Sequence, residues 1–121
     1  TLPFERSHGG DGVPGSVLET LEANAERGLH TLVYLDIDRE SDDYMTGDHA
    51  ATLLSAAGLE GVAVVVGQAG SDDPTVAADR LTALVDRAFG PPLHLLVVPG
   101  ELHPLERDAL VELAGAPADA L

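Results

Sequence analysis

Asp36 and Asp38 are the residues whose type and spacing could most readily do chemistry. Two positions apart on an extended segment, their side chains leave the same face. Carboxylates so placed can share acid and base work or bind magnesium through their oxygens. The competing reading is a solvated strand end in a chain full of acids, since carboxylates are mostly exposed and uninvolved in chemistry. Asp42-Asp43 and Asp72-Asp73 read as turn and cap residues. Five histidines raise the question of a metal. None falls in H-E-x-x-H or another compact ligand pair, and His94 and His103 could meet only through folding. No metal site is expected, and His30, at the start of a strand, reads as a hydrogen-bonded structural group. The chain has no cysteine, so thiolate chemistry and disulfides are excluded. It carries no phosphate-binding lysine loop, no G-x-G-x-x-G after a strand and no G-x-S-x-G elbow. No residue reads as a nucleophile or base, and no catalytic residue is assigned.

The elements that would carry these residues alternate between helix and strand. Residues 1–5 read as a short edge strand and 7–15, rich in Gly and Pro, as a loop. Ser16 with Glu19 matches a capping box, and Gly28 stands where that helix would stop. Residues 29–37 form a buried strand, 39–44 a charged turn, and Thr46 caps a helix over 47–57. Residues 62–67 are a second buried strand. Asp73 and Pro74 read as the start of a helix running to about residue 87. Gly90-Pro91-Pro92 breaks the chain before a third apolar strand over 94–98, and Pro104 opens a last helix ending near Gly115. The pattern predicts one α/β domain with a mixed, mainly parallel sheet and helices on both faces.

Composition narrows the partners. The 121 residues suit one domain, and 45% hydrophobic residues can fill a core. Twenty-one acids face six basic residues, all arginine, for a net charge of −15. Such a surface repels phosphate backbones and anionic lipid, so neither nucleic acid nor membrane is expected as a partner. The acids are dispersed, which with the absence of lysine points to a salt-rich cytoplasm where screening relieves self-repulsion. The apolar runs are too short to span a bilayer, and no basic and apolar leader precedes them. A first residue of Thr predicts a chain that begins inside a longer protein or has been processed.

Beyond an acidic α/β domain, the residues speak through resemblance. Asn24 through Ile37, with Arg27-Gly28-Leu29-His30-Thr31-Leu32 and Leu35-Asp36-Ile37, resembles the N-x-x-R-G-L-H-T-L-x-x-L-D-I motif of the diphthine synthases. Further blocks follow in that family's order: Tyr44-Met45-Thr46, Ala69-Gly70-Ser71 with Pro74-Thr75, and Phe89-Gly90 leading to Pro92-Leu93-His94. Val98-Pro99-Gly100, Leu102-His103 and Leu113-Ala114-Gly115-Ala116-Pro117 complete the series. Each block is weak alone; together, from about residue 14 onward, they are specific.

The resemblance implies the C-terminal domain of a tetrapyrrole methylase-like methyltransferase, with the N-terminal domain absent from this chain. Such enzymes hold S-adenosylmethionine in the cleft between the two domains. The family methylates the modified histidine of translation elongation factor 2 on the route to diphthamide, and a homodimer is implied. Its cofactor-binding positions fall here on Leu35, Ala69 and His94. Without the family, Leu35 would read as core packing and Ala69 as a small loop residue. Leu35 and Ala69 stand at the C-terminal ends of their strands and His94 at the start of its own. They can share one cleft only if that last strand runs opposite to the others, or if the Pro-Pro loop folds over.

Departures from the motif touch Gln68, where an Arg is usual, and Asp38, where a Lys is usual. Segments 38–43 and 57–61 are short. A non-catalytic dimerisation or interaction module of the same fold is the alternative reading. A methyltransferase acting on a corrin precursor is disfavoured by the R-G-L-H-T-L and L-D-I blocks.

Overall fold

Side chains along a strand leave opposite faces, so the unbroken apolar run Val62–Gly67 needs cover on both. The computed structural model describes residues 1–10 and 12–121; residue 11, within the segment expected to be a loop, lies outside them. In chain order the elements are α1 (Glu5–His8), α2 (Gly15–Glu26), β1 (Thr31–Tyr34), β2 (Ile37–Asp38), β3 (Asp43–Tyr44), α3 (Gly47–Ala56), β4 (Val62–Gly67), β5 (Thr75–Arg80), α4 (Leu81–Leu84), β6 (Leu95–Val98) and α5 (Pro104–Ala114). A 3-10 turn, Ala118–Ala120, follows.

The main sheet runs β1-β6-β4-β5, and β2 with β3 makes a separate hairpin. One face of the sheet, with Val33, Leu96, Val65 and Ala77, packs on Leu21 of α2, on Leu54 of α3 and on Leu81 and Leu84 of α4. On the other face Val64 and Ala78 meet Ala114 and Ala116 at the end of α5. The α/β class and the helices on both faces are as expected.

Strand direction is not. Every pairing in the main sheet is antiparallel, so the expectation of a mainly parallel sheet is corrected. A parallel crossover takes a dozen or so residues. Residues 68–74, which join β4 to β5, are too few and leave a hairpin. The helix expected over 74–87 becomes β5, paired with β4 from Val62↔Arg80 to Gly67↔Thr75, and only Leu81–Leu84 is helical. Ala77 and Ala78 are both buried, on opposite faces, and ladder bonds plus burial outweigh a helix propensity worth about 0.5 kcal/mol per residue.

The strand expected at 1–5 shrinks to a parallel bridge between Leu2 and Leu35. There the Leu2 N–H donates to the Tyr34 carbonyl at 2.7 Å and the Asp36 N–H to the Leu2 carbonyl at 3.1 Å. Pro14, not Ser16, stands at the cap position of α2, so the expected capping box does not form. At α5 the Glu106 carboxylate does accept the His103 N–H, at 2.9 Å.

Candidate functional site

Because β6 lies between β1 and β4 and runs antiparallel to both, its first residues share one edge of the sheet with the C-terminal ends of those strands. The Tyr34↔Leu95 register, carried one residue on, sets Leu35 opposite His94. After β4 the Ala69 N–H donates to the Leu93 carbonyl at 2.9 Å and the Gln68 N–H to the Pro91 carbonyl at 3.3 Å. Leu35, Ala69 and His94 therefore stand along one edge, and the reversed last strand is what puts them there.

The side chains of Leu35 and His94 do not open onto it. Leu35 is 7% exposed and His94 5%. The Gly47 N–H donates to His94 Nδ1 at 2.9 Å, so that nitrogen carries no proton. Nε2–H then donates to the Gly90 carbonyl at 2.8 Å, with that of Pro91 at 3.2 Å, and the ring meets Phe89 edge-on. The imidazole ties the Gly-Pro-Pro loop to the first turn of α3. Only the backbone of His94 is left to face a ligand.

An open cavity of about 500 Å³ adjoins this edge, lined by Ile37, Arg39, Asp42, Tyr44, Pro92 and Leu93. These lining residues are chain neighbours of the expected ones: Ile37 follows Leu35 by two positions and Leu93 precedes His94. Leu93 is 43% exposed, an apolar side chain at the mouth of a polar hairpin. Tyr44 and Leu93 fall inside the motif blocks, whereas Arg39 and Asp42 stand in the sequence only as members of a charged turn.

The hairpin register explains which residues face the cavity. Ile37 pairs with Tyr44 and Asp38 with Asp43, so the first pair occupies one face and the acids the other. Two acids directly opposite repel. Arg6 offsets this, with Nη2 3.2 Å from Asp38 and 2.8 Å from Asp43, its guanidinium 4.1 Å from the centre of the Phe4 ring. Hydrogen bonds from Ser41 and then Arg6 hold the Asp38 carboxyl below its ordinary range, and the bond to Asp43 chiefly raises Arg6. Asp36 Oδ2 accepts the Phe4 N–H at 2.8 Å and the Ser7 hydroxyl at 3.1 Å. Both acids of the suspected catalytic pair are thus engaged in anchoring the N-terminal segment.

Two other histidines, His30 and His49, are also engaged in pairs. His30 accepts the Gly100 N–H at Nδ1, 2.8 Å, and Nε2 lies 2.8 Å from Glu106; His49 Nε2 lies 3.2 Å from Glu5. Among the described residues no group of three His, Asp or Glu side chains gathers as a metal site. No helix there is long and apolar enough to cross a membrane.

Comparison with known proteins finds relatives of the chain. No protein-family model matches the chain. A diphthine synthase of Halorubrum lacusprofundi is 61% identical over 128 residues, covering 98% of this chain and 48% of the relative. One of Halobacterium salinarum is 63% identical over 127 residues, covering 100% of this chain and 49% of its own length. A crystal structure of diphthine synthase superposes with a TM-score of 0.77 at 36% identity, over 85% of this chain and 41% of that one. The fold is thus an α/β domain similar to part of the solved diphthine synthase. Along its whole length the chain is related to haloarchaeal diphthine synthases, and it spans about half the length of the relatives it matches.

Proposed function

We propose that the chain is the C-terminal half of a diphthine synthase, an S-adenosylmethionine-dependent methyltransferase acting on the modified histidine of translation elongation factor 2. The carrying observation is the convergence of Leu35, Ala69 and His94 on one sheet edge beside an open cavity. The residues fit one side of the methyl donor. Ile37, Pro92 and Leu93 offer apolar surface to a flat ring, the strand ends offer backbone donors and acceptors, and Arg39, Asp42 and Tyr44 offer polar partners. When bound, S-adenosylmethionine supplies the methyl group. The chain's own contribution is to bind and orient, which suits a reaction in which the substrate amine attacks the methyl carbon directly.

The cavity is open and its far side is unlined, so an opposite wall from the remaining half of the enzyme completes the reading. Calorimetry tests it: this chain alone is expected to bind S-adenosylmethionine weakly or not at all, and the full-length protein tightly. Equal, tight binding by the chain alone would contradict the two-walled site. The dispersed acids suit a salt-rich cytoplasm, the compartment proposed here.

Self-association is a second reading favoured by one feature. Leu32, Tyr34 and Val76 are 48%, 57% and 42% exposed and lie on the sheet face that α5 covers only in part. Contiguous apolar surface of this kind marks interaction sites. Sedimentation of the chain should show a homodimer; a monomer at high concentration removes the module reading without touching the methyltransferase one.

A further inference from the structure

We infer that His94 is a positioning residue: its imidazole touches no ligand and holds in register the three loops that form the ligand edge. The inference rests on the proposed methyltransferase reading for its ligand and on the hydrogen bonds around the ring for its argument.

Among the described residues His94 is the one titratable side chain buried from solvent. Burying a polar group is costly unless its hydrogen-bonding atoms are satisfied, so a ring in this place has a use that an apolar side chain would not serve. Both nitrogens are taken up. Nδ1 accepts from the start of α3 at Gly47, and Nε2 donates toward the carbonyls of Gly90 and Pro91. A neutral imidazole supplies that combination, one acceptor and one donor fixed on a rigid ring.

From the ring the bonds run on to each of the expected site positions. The Pro91 carbonyl that faces Nε2 also accepts the Gln68 N–H, and two residues on the Leu93 carbonyl accepts the Ala69 N–H. On the other side Gly47 stands two residues after Met45, whose N–H donates at 2.9 Å to the carbonyl of Asp36, the neighbour of Leu35. Little slack separates these segments. A Cβ on Gly67 would stand 3.2 Å from the Phe89 carbonyl carbon, with the oxygen nearer still, so the end of β4 runs close against the residue before Gly90. Leu35, Ala69 and the backbone of His94 are therefore tied together through one side chain. The backbone groups they offer a ligand keep their spacing only while the ring holds both sides, and a shift of about 1 Å in such a wall can cost up to a hundredfold.

The test pairs hydrogen exchange on the chain with donor binding by the full-length protein. His94→Asn keeps an acceptor for Gly47 and loses the bonds to Gly90 and Pro91; His94→Gln does the reverse. Relative to the amides of the β4–β5 ladder, His94→Asn should speed exchange at Gln68 and Ala69 roughly tenfold or more and leave Gly47 slow. His94→Gln should free Gly47 and Met45 and leave Ala69 slow. Exchange that rises evenly across the sheet marks the ring as packing alone and overturns the inference. By calorimetry, at a temperature where the variant stays folded, His94→Asn should weaken S-adenosylmethionine binding by the full-length protein about tenfold or more. Unchanged affinity overturns the positioning role, and a nuclear Overhauser contact between the imidazole and the bound donor overturns it by making the ring a ligand. A full-length parent that binds no S-adenosylmethionine sinks the methyltransferase reading instead, and the exchange pattern still decides whether the ring holds the edge.

Discussion

The backbone N–H of Gly47 donates to Nδ1 of His94 across 2.9 Å, joining the start of α3 to the start of β6. One bond fixes the imidazole tautomer, gives a buried helix-end donor its partner and holds the loop that carries Pro92 and Leu93.

Removing that acceptor should be costly. His94→Ala leaves the Gly47 N–H unpaired and a gap beside Phe89, and is expected to lower stability by about 2–4 kcal/mol. His94→Asn keeps an acceptor near the Nδ1 position but not the bond to Gly90, and should cost less. Urea unfolding of both variants checks this; equal losses would mean the Gly47 bond carries no weight.

Gly47 and Gly15 should respond oppositely to alanine. A Cβ on Gly47 would stand 3.0 Å from Val65 Cγ2 and 3.1 Å from Phe89 Cδ2, with Val65 Cγ1 nearer still. Gly47→Ala is therefore expected to destabilise by about 1–3 kcal/mol despite alanine's better helix propensity. A Cβ on Gly15 meets nothing within 4 Å, and Gly15→Ala should be neutral or stabilise by up to about 1 kcal/mol. Thermal denaturation distinguishes them.

Acid should loosen two loops before the core. Asp38 is held below its ordinary range by Ser41 and Arg6, and Glu106 by the His103 N–H and His30. A carboxyl depressed in the folded state stabilises fully above its unfolded value and loses that contribution as pH falls through the lower folded one. Hydrogen exchange at the β2–β3 hairpin and at the start of α5 should therefore rise below the usual carboxylate range. Asp38→Asn should flatten the response at the hairpin alone.

Stability should increase with salt. At a net charge of −15 the folded chain repels itself, and a Debye length falling from about 10 Å at 0.1 M to about 3 Å at 1 M removes most of that repulsion. The exposed arginine–aspartate pairs weaken too, but such pairs contribute little individually. The melting temperature is expected to climb through this range in potassium chloride. A flat or falling curve would remove the reading of the charge as salt adaptation.

Much of the fold was legible because it is local. The run 62–67, the helix opened by Pro104 and stopped by Gly115, and the segment before Gly28 carry their periodicity and punctuation in neighbouring residues. β5 was illegible for the opposite reason. Its alanines and the Asp-Pro start are good helix signals, and only the exposed edge of β4 made a ladder the better use of the same backbone. The site divides similarly. Motif order pointed to Leu35, Ala69 and His94, but Arg39 and Asp42 had no signal beyond their charge.

By itself, then, the order of residues determined the alternation of helix and strand, the apolar runs that need cover on both faces, and the motif that ties the chain to the diphthine synthases. Tertiary structure alone decided that β6 runs against its neighbours, that the His94 ring faces inward, and that the Asp36–Asp38 pair anchors the N-terminal segment. The physical reason is range. Side-chain periodicity is set by a residue and its next few neighbours, whereas direction, burial and pairing depend on groups tens of positions away competing for the same hydrogen bonds and the same dry space.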